Sequence, residues 1–113
     1  MTAFDVVLLP FPFTDLSTTK QRPCLILAVF QPGGLSEHYI EAMVTSQLAG
    51  LAFPGDTLLA KWREAGLPKP SLARLSKVVT VEAALIRKKL GTVQTLDRQA
   101  IRRRFRQVFA ELV

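Results

Sequence analysis

The chain has 113 residues, one cysteine, 49% apolar residues and a net charge of +6 at neutral pH. That length is one domain spanning residues 1–113, able to bury about two-thirds of its unfolded surface without a disulfide or a metal staple. An internal disulfide is excluded, no Cys/His cluster has zinc spacing, and no apolar run approaches the roughly 20 residues of a membrane span.

The charge is unevenly placed. Residues 87–106 hold eight of the fifteen Lys/Arg and only one acid, Asp97, a local charge of +7, while the rest of the chain is at −1. This basic segment suits an anionic partner, either nucleic acid or an acidic protein segment. The chain shows no basic start followed by an apolar signal segment, so a soluble, cytoplasmic protein with no membrane association is expected.

In chain order, Phe4 to Leu9 is a β-branched apolar run closed by Pro10, which predicts a strand. A long polar loop follows, carrying Phe11 and Phe13 beside prolines, and ends at Lys20-Gln21-Arg22-Pro23. Pro23 disfavours helical backbone at Arg22, so this cation is held extended at the junction of loop and strand, where it can meet a phosphate in one geometry. Leu25 to Phe30 predicts a second strand buried on both faces, with Cys24 as a small core residue. After the Gln31-Pro32-Gly33-Gly34 turn, His38 to Thr45 alternates as a third strand running into Ser46-Gln47.

Phe53-Pro54-Gly55-Asp56 predicts a turn, Thr57 to Leu59 a brief pairing, and Lys61 to Gly66 one helical turn stopped by Gly66 and Pro68, with Trp62 either packing over the barrel or offering a platform for base stacking. Ser71 to Leu75 and Val78 to Val81 are expected as two further short strands, and Leu85 to Leu90 as a turn of helix ended by Gly91. The last element is an amphipathic helix, N-capped by Thr95, with Ile101, Phe105, Val108, Phe109 and Leu112 on one face and Gln99, Arg103 and Arg106 opposite. The spacers are too short for helical crossovers, so antiparallel neighbours are expected. Short strands followed by one covering helix describe a mainly β protein, a small half-open antiparallel barrel with helical additions.

The catalytic inventory is thin. Glycine-rich phosphate loops, HExxH and nucleophile elbows are absent, and the carboxylates Asp5, Asp15, Glu41, Asp56 and Glu82 are scattered. An enzyme built from this chain works mainly with Arg, Thr/Ser and backbone donors, which suits a phosphodiester, where charge stabilisation can dominate. The lone histidine, His38, reads either as a surface residue or as a general base.

Five short motifs in order, Phe11-Pro12-Phe13-Thr14-Asp15, Lys20-x-Arg22-Pro23-x-Leu25, Val44-Thr45-Ser46, Gly66-Leu67-x-Lys69-Pro70-Ser71 and Lys77-x-x-Thr80, resemble the MazF/PemK toxins of type II toxin–antitoxin systems. The resemblance implies an SH3-like barrel that dimerises and cuts single-stranded RNA without a metal or other cofactor. The 2′-hydroxyl attacks the adjacent phosphorus, leaving a 2′,3′-cyclic phosphate and a 5′-hydroxyl. It implies Arg22 and Thr45 as the catalytic pair, with Lys20, Gln21, Ser46, Gln47, Arg74 and Lys77 as RNA contacts. It also implies a small antitoxin with an acidic, partly disordered tail as partner.

The sequence departs from the family where many members carry Glu-Gln before the arginine, here Ser17-Thr18, and where some carry a carboxylate on the fifth strand, here Ser76. Asp15 and His38 are then the general-base candidates by order. Competing functions are a non-enzymatic poison on the same barrel, of the CcdB gyrase-binding type, and a degenerate module that binds RNA or antitoxin without turnover.

Overall fold

The computed structural model describes residues 1–10 and 21–113. Six strands form one sheet: β1 (Asp5–Leu9), β2 (Arg22–Phe30), β3 (His38–Thr45), β4 (Asp56–Leu58), β5 (Leu72–Glu82) and β6 (Lys88–Thr92). A 3-10 turn, Ala83–Leu85, precedes β6, and a helix, α1 (Thr95–Val108), follows it. The order across the sheet is β4-β5-β3-β2-β1-β6, with every neighbouring pair antiparallel. Among the described residues the sheet does not close on itself: β4 and β6 are its edges, giving the half-open barrel expected from the pattern of strands.

Strand alternation splits the apolar side chains into two layers. Val6, Leu25, Ala42, Val44, Ala73 and Leu75 face α1, whose Ile101 completes that core. Val7, Leu9, Cys24, Ile26, Tyr39 and Val81 form the second layer on the opposite face. Three ladders shift register, and the largest shift lies between β3 and β5. There the pairing moves from Met43–Arg74 to Ala42–Val78, four residues on β5 against one on β3. Such a bulge bends the strand sharply and re-aims its side chains.

The bulge explains one departure from the sequence reading. The two short strands expected at 71–75 and 78–81 are one bent strand, Leu72–Glu82. The helical turn expected over Leu85 to Leu90 is also replaced: the 3-10 turn comes earlier, and Lys88–Thr92 pairs with β1. A Lys-Lys-Leu-Gly run has little strand propensity of its own, but β1 offers it a ladder, and lysines suit an exposed sheet edge. Gly91 is needed there because its backbone lies against Ala65, while a β-carbon on Gly66 would overlap the Leu90 carbonyl.

The turn at Lys61 to Gly66 forms as expected and closes in a Schellman arrangement. Leu67 N–H donates to the Trp62 carbonyl at 3.0 Å and Gly66 N–H to the Arg63 carbonyl at 2.9 Å, with Gly66 at φ +85°. Trp62 packs against the helix-side core. The second strand is less buried than its apolarity suggests, since Val29 and Phe30 at its far end are exposed.

Helix α1 starts one residue earlier in role than expected. Gln94 is the N-cap and Thr95 the first helical residue, with no side-chain capping bond. The helix is anchored instead by buried Asp97, whose carboxylate accepts the Ala60 N–H at 2.9 Å and the Lys61 N–H at 2.8 Å. Of the apolar face, Ile101 is buried, whereas Phe105 and Leu112 are exposed. No helix among the described residues is long and apolar enough to cross a membrane.

Candidate functional site

A cleft of about 470 Å³ opens where β2, β3 and β5 meet the segment after β3. Its position follows from register. Cys24 pairs with Met43, so two more residues along each strand bring Arg22 and Thr45 to the same end of the ladder and the same face, that of the second apolar layer. Both line the cleft, with Met43 as floor between them. Ser46, Gln47, Arg74 and Lys77 line it as well, so six of the eight residues singled out from the sequence converge. Gln21 is exposed beside the cleft without lining it, and Lys20 lies outside the described residues.

Each side chain is set differently. Arg22 is half-buried at the first position of β2, across from Leu9 of β1, and its buried Nε has no partner among the described residues. The Thr45 hydroxyl accepts the Gln47 N–H at 3.1 Å, a local turn that leaves its proton free to donate into the cleft. Arg74 is locked: Nε and one terminal nitrogen donate to the two oxygens of Asp56 at 3.0 and 3.1 Å, and the same nitrogen donates to the Leu51 carbonyl at 3.3 Å. Its guanidinium lies 4.2 Å from the centre of the Phe53 ring, and the Lys77 ammonium 5.6 Å from that centre. Because Asp56 offsets Arg74, the positive charge left in the described part of the cleft belongs to Arg22 and Lys77.

Sequence reasoning missed Met43, Leu51 and Phe53 as cleft residues, and Asp56 as the acid that holds Arg74 there. Phe53-Pro54-Gly55-Asp56 was legible only as a turn, and the long reach from Asp56 to Arg74 becomes visible only once β4 pairs with β5 through Asp56–Arg74. His38 is removed from the site. It starts β3 while Thr45 ends it, about 23 Å away at the usual strand rise. There its Nδ1 lies 2.7 Å from the Ser36 carbonyl and its Nε2 4.0 Å from Glu82. Asp15, the other general-base candidate, lies outside the described residues, as do Phe11 and Phe13.

Two acids sit deeper on the same face. Glu41 is fully buried two residues from Met43, and neither carboxylate oxygen has a partner among the described residues. Burial pushes its carboxyl up to about 7. Burial, reinforced by the Glu41 charge, also pushes the Cys24 thiol far up, so this thiol is no nucleophile. Burial likewise raises Asp5, but the Thr2 amide, the Thr92 hydroxyl and the Lys89 ammonium outweigh it and bring the carboxyl below its usual value. No group of three or more His, Cys, Asp or Glu side chains is placed to hold a metal ion among the described residues.

A family model for the PemK-like, MazF-like toxins of type II toxin–antitoxin systems matches residues 2–109. The chain belongs to this family. Among solved structures it is similar to the Mycobacterium tuberculosis toxin MazF-mt6, 18% identical over 94% of this chain and 96% of that one, with a TM-score of 0.66. It is also similar to an endoribonuclease in complex with its cognate antitoxin from a mycobacterial species, at 13% identity, coverage of 97% and 95%, and a TM-score of 0.71. A third likeness is to MazE–MazF from Deinococcus radiodurans, at 18% identity, coverage of 96% and 93%, and a TM-score of 0.67. At these identities the likeness shows a shared fold. No curated protein sequence matches the chain.

Proposed function

We propose that this toxin-family protein is a metal-independent endoribonuclease that cuts single-stranded RNA, using Arg22 and Thr45 as its catalytic pair. The observation that carries the reading is the convergence of Arg22, Thr45, Ser46, Gln47, Arg74 and Lys77 on one cleft. The reaction is attack of the ribose 2′-hydroxyl on the adjacent phosphorus. The 5′-oxygen of the next nucleotide leaves, giving a 2′,3′-cyclic phosphate and a 5′-hydroxyl end.

Charge builds on the non-bridging oxygens as the new bond forms. A planar, permanently charged guanidinium at Arg22, half-buried where it lines the cleft, meets two such oxygens as a fork. The Thr45 hydroxyl, already accepting the Gln47 N–H, donates to the same phosphate or to the departing oxygen. Ser46 and Gln47 contact the flanking nucleotides, Lys77 the neighbouring phosphate, and the Phe53–Arg74 pair offers a flat surface for a base.

As partners we infer an acidic, partly disordered antitoxin and a second copy of the chain, acting in the cytoplasm. The antitoxin complexes among the similar structures support the first. An oligonucleotide with a single 2′-deoxy substitution tests the chemistry. Cleavage at the bond 3′ to that sugar should vanish in EDTA, while cutting at the unmodified bond leaves a cyclic phosphate detectable by mass spectrometry. Cutting of the deoxy bond would refute the mechanism.

A further inference from the structure

The basic segment contributes no residue to the cleft. Helix α1 carries five arginines between residues 98 and 106, and its one acid, Asp97, is buried with both oxygens already accepting backbone N–H groups. Arg98, Arg102 and Arg106 recur at every fourth residue, about 6 Å apart along the helix axis, and Arg103 stands three residues before Arg106. Like charges at these spacings destabilise a helix, and a solvated helix face ordinarily alternates in sign. Arg98 also stands near the helix N-terminus, where the dipole disfavours a cation. Among the described residues no carboxylate forms an ion pair with any of these arginines. A single-sign face kept against those costs points to an anionic ligand.

The face is also built. Arg102, Arg103 and Arg106, with Gln99 and Gln107, line a shallow depression of about 420 Å³, and all five are exposed. Next to it the arginines are held in place. Arg98 Nε donates to the Val93 carbonyl at 2.7 Å, and the guanidinium carbons of Arg98 and Arg102 both lie 5.0 Å from the centre of the Phe4 ring. Phe4 is fixed in turn: its N–H donates to the Ile26 carbonyl at 2.8 Å, and its carbonyl accepts the Val93 N–H at 2.9 Å. It adopts φ +73°, the one positive value at a non-glycine position among the described residues, a costly conformation that such anchoring maintains. One strained ring thus gathers two like charges, an arrangement that an anion stabilises.

We propose that this face of α1, from the Phe4–Arg98–Arg102 clamp to Arg106, docks the phosphate backbone of an RNA outside the segment being cut. The lining selects this occupant. Arg and Gln donate to phosphate and sugar oxygens, and an arginine fork grips phosphate through paired bonds. An extended polynucleotide repeats its phosphates at an interval similar to that of the arginines. The depression is lined only by Arg and Gln, with nothing apolar to seat the anchors of an acidic peptide. A second copy brought up through a two-fold axis would set arginine against arginine. Phosphate contacts fix position and carry no sequence information. The face lies across the sheet from the cleft, so it adds affinity for long RNA and leaves the chemistry at Arg22 and Thr45 untouched. The proposal rests on the ribonuclease reading only for the choice of RNA over other polyanions.

Fluorescence anisotropy tests this with a long, unstructured 2′-O-methyl RNA, which binds but cannot be cut because the attacking hydroxyl is blocked. The triple variant Arg102→Gln/Arg103→Gln/Arg106→Gln should bind at least about tenfold more weakly than wild type, with a slope of log Kd against log salt shallower by about 2. Arg103→Gln/Arg106→Gln, which leaves both Phe4 contacts in place, should show part of the same loss. Lys61→Gln/Lys69→Gln/Lys88→Gln removes the same charge from exposed positions off the helix and should bind nearly as wild type. A 2′-O-methyl oligonucleotide short enough to fill only the cleft should bind wild type and the α1 triple variant alike.

Equal loss in the two triple variants would reduce the effect to net charge and overturn the proposal, as would wild-type affinity in the α1 variants. So would displacement of the RNA by polyglutamate as readily as by polyuridylate at equal charge, which would make the face a site for acidic protein. Binding is read without cleavage, so the two readings fail separately. Unmodified RNA left intact by a protein that binds as expected would sink the ribonuclease reading alone. Cleavage by a protein whose α1 variants bind unaltered would sink only the docking face.

Discussion

Asp56 grips Arg74 through two parallel hydrogen bonds, Nε to Oδ1 at 3.0 Å and a terminal nitrogen to Oδ2 at 3.1 Å, with both side chains largely shielded from water. The same carboxylate accepts the Phe53 N–H at 3.0 Å, so one acid fixes both the cation and the aromatic ring that the cation covers. Removing it frees a shielded guanidinium and the turn at once. Asp56→Ala should lower stability by about 1–3 kcal/mol in urea denaturation, the scale of leaving a partly buried charge unpaired. If Arg74 helps to seat RNA, the variant should also raise KM more than it lowers kcat; an unchanged KM with a lowered stability would make the pair purely structural.

Glu41 gives the stability a distinct pH dependence. Its carboxyl is raised by burial from the ordinary 4.5 to about 7, so the folded protein holds the proton more tightly than the unfolded chain. The folded state binds more protons across that interval, and stability therefore falls as pH rises from about 4.5 to about 7. Glu41→Gln, a neutral near-isostere, should flatten this slope and exceed wild type by roughly 1–3 kcal/mol near pH 8, with little difference near pH 4. Asp5 acts in a separate, lower window: its depressed carboxyl contributes stability that is lost as pH falls through its folded pKa. Denaturation midpoints across pH for the two proteins check the sign, and parallel curves would show that Glu41 is ionised or solvated in the native state.

Asp97 is predicted to matter more to the fold than its position in a basic segment suggests. It joins α1 to the Ala60-Lys61 backbone, 37 and 36 residues away, through two N–H donors in a shielded setting. Asp97→Ala strands both donors and should cost about 1–3 kcal/mol, whereas Asp97→Asn keeps one acceptor and should cost less. Thermal unfolding of the two variants side by side reads the order directly, and equal losses would mean that charge at the helix start, not hydrogen bonding, is what counts.

How much of this was written in the sequence varies by element. β1 and β3 were legible because Val6-Val7-Leu8-Leu9 and His38 to Thr45 carry their own signal, a continuous or alternating apolar pattern ended by proline or polar residues. β6 was not, because Lys88-Lys89-Leu90-Gly91 becomes a strand only through its partner β1, information that no local window contains. The bend in β5 was hidden for the same reason: Ser76-Lys77 breaks the apolar pattern, yet the pairing with β3 resumes beyond it. At the site, Arg22 was marked by Pro23, whereas Thr45 was singled out only through the resemblance to the MazF/PemK toxins. Asp56 and Phe53 read as turn chemistry, and only the β4–β5 pairing reveals that they grip Arg74. His38 looked chemically suited to act as a base, but the strand that carries Thr45 puts it at the far end.

The most direct test of the central claim is the single-turnover cleavage of a structureless RNA in EDTA by wild-type, Arg22→Ala and Thr45→Ala proteins of matched stability. Wild type should cut and leave 5′-hydroxyl ends. Arg22→Ala should be slower by about 10²–10³-fold, the scale of losing one charge-stabilising donor. Thr45→Ala should fall in the same direction. RNA left intact by the wild-type protein, or cut at an undiminished rate by Arg22→Ala, would contradict the assignment of this cleft as a ribonuclease site.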